Sequence, residues 1–178
     1  AALLALLLGL AATLALVRFR PRGGRLLYLL FLVPIVVPEI IPAVGIYIIY
    51  IPVKLTNTML GFVLAHAALA IPVVVIVVAP ALDALDVRFE QAARSLGANP
   101  LLTFWKIAFP LIRPSIIAAA FLAFLTSFDN LILALFLAGS ATETLPLKMW
   151  NEIRLEITPI IAAISSLEVA LGALSLLV

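Results

Sequence analysis

The sequence predicts an all-α protein built as a bundle of transmembrane helices. Of its 178 residues, 66% are hydrophobic and 11% are charged, whereas a soluble domain carries about 25% charged residues. Five apolar stretches reach or approach the roughly 20 residues that a helix needs to span a bilayer. The predicted spans are residues 1–17, 26–51, 58–82, 111–138 and 158–178. We therefore expect a single polytopic transmembrane domain over residues 1–178.

Both ends of the chain lie within apolar sequence. The chain begins at Ala1 in a Leu/Ala run, and its last apolar run continues to Val178. No basic segment or cleavage site accompanies the first run, so it does not predict a signal peptide. We expect the sequence to be a fragment of a longer protein.

The basic residues predict an orientation in the membrane. Eight of the 11 Lys and Arg residues fall in the first and third connections between spans. They are Arg18, Arg20, Arg22, Arg25, Arg88, Arg94, Lys106 and Arg113, and the other three are Lys54, Lys148 and Arg154. Because loops rich in Lys and Arg stay in the cytoplasm, the connection over 83–114 is predicted to be cytoplasmic and that over 139–157 periplasmic. The basic pI thus reflects topology rather than nucleic-acid binding.

The second predicted span contains three prolines at steps of four residues. Pro34, Pro38 and Pro42 share one helical face, and each leaves an upstream carbonyl without its helical partner. Such backbone is tolerated where neighbouring helices or a water-filled cavity satisfy it. Glu39 lies within this broken stretch, and an ionisable side chain at membrane depth marks by default a transport pathway or a partner.

Three ionisable residues are predicted to share one level of the membrane. A rise of about 1.5 Å per residue places Glu39, His66 and Asp129 in the outer half of a bilayer core about 30 Å thick. This agreement predicts one polar chamber. For His66 a structural hydrogen bond is the favoured interpretation, whereas for Glu39 and Asp129 structural and functional roles stay open. Glu168 is a further acid in the last span, and the sequence names no partner for it.

The polar connection before the fourth span predicts two short helices with a corner between them. Asp86 is placed to cap the first helix, and Gly97 can take the left-handed conformation that ends it. Asn99 is placed to cap the second helix, with Pro100 at its first position. The apolar face of the first helix consists of Phe89, Ala92, Ala93 and Leu96. Because so short a helix is not stable alone, we expect this face to contact a partner surface.

The same connection carries a spaced motif. Gln91-Ala92-Ala93 is followed by Gly97 and then, after nine residues, by Ile107-Ala108-Phe109-Pro110. This closely resembles the cytoplasmic loop signature of the membrane subunits of binding-protein-dependent ABC importers, Glu-Ala-Ala, three residues, Gly, nine residues and Ile-x-Leu-Pro. Two positions depart from the motif: Gln91 stands where the family usually has Glu, with Glu90 beside it, and Phe109 replaces Leu. The resemblance implies the type I ABC importer permease fold with a cytoplasmic coupling-helix elbow. The implied ATPase-coupling residues are Phe89, Glu90, Gln91, Ala92, Ala93, Gly97, Ile107 and Pro110.

Three further stretches extend the resemblance over nearly the whole chain. Residues 34–39, 124–129 and 145–159 look like those of spermidine/putrescine-type importer permeases. The family implies a six-span subunit of the inner membrane, hence a span preceding Ala1. It also implies a second permease subunit, two cytoplasmic ATPase subunits that bind ATP and Mg, and an external solute-binding protein. The subfamily also includes importers of other solutes such as ferric iron, which stays an alternative.

A polyamine needs separated carboxylates and aromatic faces along its path. Glu39 and Asp129 are candidates for the first, because they can replace water around ammonium groups. Tyr47, Phe124 and Phe128 are candidates for the second, because the face of an aromatic ring attracts a cation.

The outer connection carries a candidate docking surface for the binding protein. Pro146 can start a short helix, and Trp150, Asn151 and Arg154 lie on it. Trp and Arg are enriched at protein interfaces. A membrane-interface anchor is the alternative interpretation for this helix.

The residue inventory disfavours an enzyme. Cysteine is absent and there is one histidine, so most metal sites and catalytic triads lack their residues. The chain has no Gly-rich phosphate loop ending in Lys-Ser or Lys-Thr, so ATP is expected to bind a separate subunit and no cofactor is expected in this chain. The rival interpretation is a secondary transporter or channel in which Glu39, His66 and Asp129 relay protons.

Overall fold

The computed structural model describes residues 1–139, 142–155 and 159–175, and every regular element in these ranges is a helix. The prediction of an all-α protein is therefore confirmed. The α-helices in chain order are α1 Ala2–Arg18, α2 Gly24–Val36, α3 Ile40–Tyr50, α4 Met59–Asp83, α5 Val87–Ser95, α6 Pro100–Thr103, α7 Phe109–Phe128, α8 Leu131–Leu137, α9 Leu145–Leu155 and α10 Pro159–Ser175. A π-helix, Phe104–Ala108, joins α6 to α7.

Helix α4 lies at the centre, packed between α1 and α7. Its start is fixed by Thr58, whose hydroxyl oxygen accepts a hydrogen bond from the Gly61 amide at 3.1 Å. Arg20, just after the end of α1, contacts Asp83 at the end of α4. Helices α1 and α4 therefore run parallel, and α7 runs in the opposite direction. The buried core is rich in small residues and consists of Ala5, Ala67, Ala70, Val74, Val78, Leu82, Ala108, Ile112, Ile116, Ala119 and Ala123.

The α1–α4 seam is closest at Gly9. A Cβ atom on Gly9 would lie 2.6 Å from the Cβ of Val74, which is far inside normal contact. One turn later the buried Thr13 hydroxyl donates to the Gly9 carbonyl at 2.8 Å. Small residues at such crossings let helix backbones approach closely, which is how helices associate in membranes. Gly9 therefore sets the spacing of the two helices.

The predicted span over 26–51 is not a single rod. It divides into α2 and α3, whose axes differ by 100°. Val37 is extended, with φ −77° and ψ 133°, as expected for a residue preceding proline. Pro38 then ends the hydrogen-bonding of α2, whereas Pro34 is accommodated within α2 and Pro42 in the first turn of α3. The proline pattern predicted a broken stretch, and Pro38 is where it breaks.

The predicted span over 111–138 starts earlier and also breaks. A continuous helix runs over Pro100–Phe128, 29 residues in all. The π-helix allows this, because the Phe109 amide bonds five residues back to the Phe104 carbonyl and the wider turn makes room for Pro110. The helix ends at Asp129, and α8 starts afresh after Asn130.

Two helices in the described residues are long and apolar enough to cross a membrane by themselves. These are Met59–Ala84 and Pro100–Phe128, and α2 with α3 makes a third only if the bent pair counts as one span. Helix α1 and the segment Ala163–Ala173 are apolar but shorter. The structure thus supports two or three of the five predicted spans by length.

Candidate functional site

Two helix breaks meet near one end of the bundle. Glu39 lies at the break between α2 and α3, and Asn130 at the break between α7 and α8. The Asn130 side-chain amide donates to the Glu39 carboxylate. The side-chain Oδ1 atom of Asn130 accepts from the Leu133 amide at 2.8 Å, which caps the start of α8. One side chain therefore starts α8 and ties it to α3.

The two predicted carboxylates border one cavity at these breaks. A space of about 300 Å³ is lined by Glu39, Leu125, Thr126, Asp129 and Asn130. A second space of about 380 Å³ lies along the α2–α3 break and shares Glu39 and Thr126. Both carboxylate residues are exposed in this chain, whereas Asn130 is buried. The arrangement presents two acids, a hydroxyl and an amide to a polar solute.

His66 lies beside this cavity rather than in its lining. Its ring is buried, and its Nδ1 atom lies 3.4 Å from the Ser127 hydroxyl oxygen. The ring also packs against Phe62, with centroids 4.2 Å apart. Ser127 belongs to the same turn as Asp129, so the three predicted ionisable residues lie at similar depth, but the structure places only Glu39 and Asp129 on a shared cavity.

The aromatic candidates divide in the same way. Phe128 stacks on Phe124, with centroids 5.4 Å apart, and both rings border a space of about 610 Å³ that also reaches Asp129. Tyr47 instead packs against Phe136 on α8, with centroids 6.1 Å apart. It is not among the residues that line the cavity of Glu39 and Asp129.

Asn130 and Thr126 are polar neighbours of Asp129 in the sequence that were not among the predicted path residues, yet both line its cavity. Asn130 precedes the apolar run of α8, and an asparagine immediately before such a run is a helix-start signal. That signal was present and predicts both the break and the cap. Its contact with Glu39 joins residues 91 positions apart, so no local pattern indicates it.

The predicted elbow forms as expected. The Asp86 carboxylate accepts from the Arg88 amide at 2.9 Å, and the Asn99 side chain accepts from the Leu102 amide at 2.7 Å. Gly97 has φ +86°. The Ala98 amide bonds to the Ala93 carbonyl and the Gly97 amide to the Arg94 carbonyl, which is the Schellman ending of a helix.

Helix α5 exposes most of its surface. Phe89 is 58% exposed and Leu96 90% exposed, Ala92 is exposed, and Ala93 is half-buried, so most of the predicted apolar face is uncovered within the described residues. Ile107 is half-buried in the π-helix, and Pro110 is exposed near the start of α7. Glu90 is the one buried residue of α5. The Nε atom of Arg18 lies 2.8 Å from a Glu90 carboxylate oxygen.

The outer connection contains the predicted short helix as α9. The Arg154 guanidinium lies 4.9 Å from the centre of the Trp150 ring, a cation–π contact. Asn151 and Arg154 are exposed. Residues 156–158 of this connection and the side chain of Glu168 lie outside the described part of the chain.

Comparison with protein families gives one match over nearly the whole chain. The model for the binding-protein-dependent transport system inner membrane component matches residues 5–178.

Three curated relatives represent the similar proteins. The putrescine transport system permease protein PotI of Escherichia coli (strain K12) is 34% identical over 174 residues, covering 94% of this chain and 62% of the relative. The spermidine/putrescine transport system permease protein PotC of Haemophilus influenzae is 29% identical, covering 97% of this chain and 67% of the relative. The sulfate transport system permease protein CysT of Salmonella typhimurium is 31% identical, covering 94% and 66%. The chain thus spans about two thirds of the length of these relatives.

Proposed function

Because this chain belongs to the family of binding-protein-dependent transport system inner membrane components, we propose that the full-length protein is the permease subunit of an ATP-driven ABC importer for a polyamine. It forms the path through the inner membrane for a solute that an external binding protein delivers. A second permease subunit completes the path, and separate cytoplasmic subunits bind and hydrolyse ATP.

The pair Glu39 and Asp129 is the observation that supports a cationic solute. Both line one cavity, beside the hydroxyl of Thr126, and Phe128 borders the neighbouring space. Carboxylates attract the ammonium groups of a polyamine and repel an oxyanion. The relatives named for polyamines agree with this choice better than the relative named for sulfate.

Exposure of the two carboxylates fits a transient site. A site that bound a polycation in a closed cage would release it slowly, whereas two acids on an open cavity let it dissociate. The aromatic stack of Phe124 and Phe128 supplies faces that attract cations at modest strength, about 0.5–1 kcal/mol at exposed sites. The site therefore suits passage rather than storage.

Neutralising one carboxylate tests the polyamine path. Asp129→Asn keeps shape and hydrogen bonding but removes charge, so uptake of putrescine and spermidine by the assembled importer in vesicles is expected to fall at least tenfold. Glu143→Gln is the matched control, since Glu143 is an exposed acid that does not line this cavity. Uptake close to the parent's in Asp129→Asn, with the complex assembled, means that Asp129 has a structural role.

The exposed face of α5 supports the coupling role of the elbow. Phe89 and Leu96 are apolar and largely uncovered, and α5 and the start of the 29-residue helix lie on either side of Gly97. Docking of this face in a groove of the ATPase subunit connects nucleotide-driven motion to a membrane helix. We assign Phe89, Glu90, Gln91, Ala92, Ala93, Gly97, Ile107 and Pro110 to this element.

The orientation of the permease follows from the same proposal. The loop 83–114 lies in the cytoplasm, and α9 lies outside, where Trp150, Asn151 and Arg154 receive the binding protein. Cysteines introduced at Ser95 and at Asn151 test this directly in inverted and right-side-out vesicles; residues 1–178 contain no cysteine, and any cysteine elsewhere in the full-length protein is replaced first. Labelling of Ser95→Cys from outside by an impermeant reagent contradicts the orientation.

A further inference from the structure

The ion pair between Arg18 and Glu90 joins two elements that are far apart in the sequence. Arg18 is the last residue of α1, and Glu90 lies in the first turn of α5. Their side chains are only 15% and 10% exposed, and Nε of Arg18 lies 2.8 Å from Oε1 of Glu90. The rest of α5 is anchored elsewhere, since it packs on the π-helix and on α6. The pair therefore gives α5 a side-chain link to the α1–α4–α7 core.

A second ion pair at the same end of the bundle differs in its surroundings. Arg20 and Asp83 meet at 3.2 Å, but their side chains are 74% and 63% exposed. Exposed pairs contribute little because water and salt screen them. A shielded pair is different, since removing one partner leaves the other charge without compensation. The molecule thus contains a shielded pair on α5 and an exposed pair beside it.

The surroundings of Arg18 leave its charge dependent on Glu90. Its Nε and Nη2 atoms are both buried, and neither makes a hydrogen bond among the described residues, so the 2.8 Å contact with Glu90 is an ion pair without a hydrogen bond. A cavity of about 320 Å³ beside the pair is lined by Val17, Arg20, Gln91 and Arg94 as well. This space leaves room for α5 to tilt once the pair is broken. Gln91 is neutral, so the acid that holds α5 to α1 is Glu90.

We propose that Arg18 is a positioning residue for ATPase coupling, and that its pair with Glu90 makes α1 a third support of α5. The role rests on the proposed importer function. The covalent chain connects α5 to α4 on one side and, through Gly97, to α6 on the other. With the pair intact, displacement of α5 also moves α1, which packs against α4 and α7. Without the pair, α5 and the elbow can move while α1, α4 and α7 stay in place.

Charge exchange in the full-length permease tests the proposal. Arg18→Gln and Arg18→Glu are expected to lower the amount of polyamine transported per ATP hydrolysed by roughly fivefold or more, the scale of a typical coupling energy. The double variant Arg18→Glu with Glu90→Arg rebuilds the pair with its charges exchanged, and it is assessed by the α1–α5 distance because Glu90 also belongs to the coupling element. The exposed pair, exchanged as Arg20→Glu with Asp83→Arg, is the matched control and leaves the ratio within about twofold, as weak surface pairs do. A fold that is merely less stable lowers uptake and hydrolysis together and keeps the ratio.

A distance measurement keeps the test independent of transport. Spin labels on Leu7 of α1, which is 66% exposed, and on the exposed Arg88 of α5 report the separation of the two helices in the full-length permease. The proposal predicts a narrow distribution in the parent, a broad one in Arg18→Gln, and a narrow one again after charge exchange. A narrow distribution in Arg18→Gln overturns it, as does an unchanged transport ratio. A parent that transports without ATP refutes the importer function, and the distances still decide the role of the pair.

Discussion

Replacing Gly9 with alanine tests the seam on which the bundle is built. The added Cβ would lie 2.6, 2.7 and 3.3 Å from Cβ, Cγ1 and Cγ2 of Val74, whereas carbon atoms pack at about 3.5–4.0 Å. Helices α1 and α4 must therefore separate by about 1 Å at this point. Overpacking of this kind costs roughly 1–3 kcal/mol. The Val74 atoms lie next to the backbone of α4, so a rotamer change cannot remove all of the clash.

Gly45→Ala is the matched control for this substitution. Gly45 also lies within a helix, α3, but a Cβ there would meet nothing within 4 Å. Both variants gain the same helix propensity, up to about 1 kcal/mol, so the difference between them isolates the packing cost. We expect Gly9→Ala to be about 1–3 kcal/mol less stable than Gly45→Ala. Denaturant unfolding of the full-length permease in detergent measures this difference, and equal stabilities refute the close α1–α4 seam.

Three further substitutions test the elbow, the helix breaks and the outer helix. Gly97→Val places a β-branched residue at positive φ, so transport and ATPase stimulation should fall. Asparagine tolerates that conformation, so Gly97→Asn should keep most of both activities. Equal activity of the two variants contradicts the need for this corner. Asn130→Ala removes a helix cap and the hydrogen bond to the Glu39 carboxylate, whereas Asn99→Ala removes a cap alone, at a cost of about 1 kcal/mol. Asn130→Ala should therefore lower the free energy of unfolding more than Asn99→Ala does, and equal losses contradict the link between the two helix breaks. Arg154→Glu should weaken crosslinking to the binding protein without changing ATPase assembly, and unchanged crosslinking reduces α9 to a membrane anchor.

Local signals predicted the elbow well. Asp86, Gly97 and Asn99 act through backbone groups within a few residues of themselves, so their spacing alone predicts the caps and the left-handed corner, and the structure confirms all three. The prolines of the second span likewise predicted a break. The spacing of the prolines does not determine the angle of the bend. The 100° bend at Pro38 accompanies the packing of α3 against α8.

The breaks in the apolar stretches limited what hydropathy could predict. Asp129 and Asn130 interrupt the fourth predicted span, but the flanking residues are so apolar that the mean hydropathy of a span-length stretch stays high across them. The start of the fourth span was predicted too late, because the π-helix lets the helix continue through Pro110, where a proline normally limits a helix. Five apolar stretches therefore do not translate directly into five straight spans.

Long-range contacts were the part that the sequence could not predict. The close approach of Gly9 to Val74 and the pair of Arg18 with Glu90 join residues on different helices. In the sequence Arg18 reads as a topological anchor, and Glu90 as a favourable charge in the first turn of α5. Only the parallel packing of α1 and α4 brings the end of α1 beside α5.

The energy source for uptake tests the central claim most directly. Full-length permease assembled with its ATPase subunits and binding protein in vesicles should accumulate labelled putrescine when ATP is supplied. Accumulation should cease when ATP is replaced by a non-hydrolysable analogue, whatever the proton gradient. The rival mechanism, a proton relay through Glu39, His66 and Asp129, predicts the opposite. Uptake by the permease alone, driven by a proton gradient without ATP, would contradict the assignment of this chain to an ATP-driven importer.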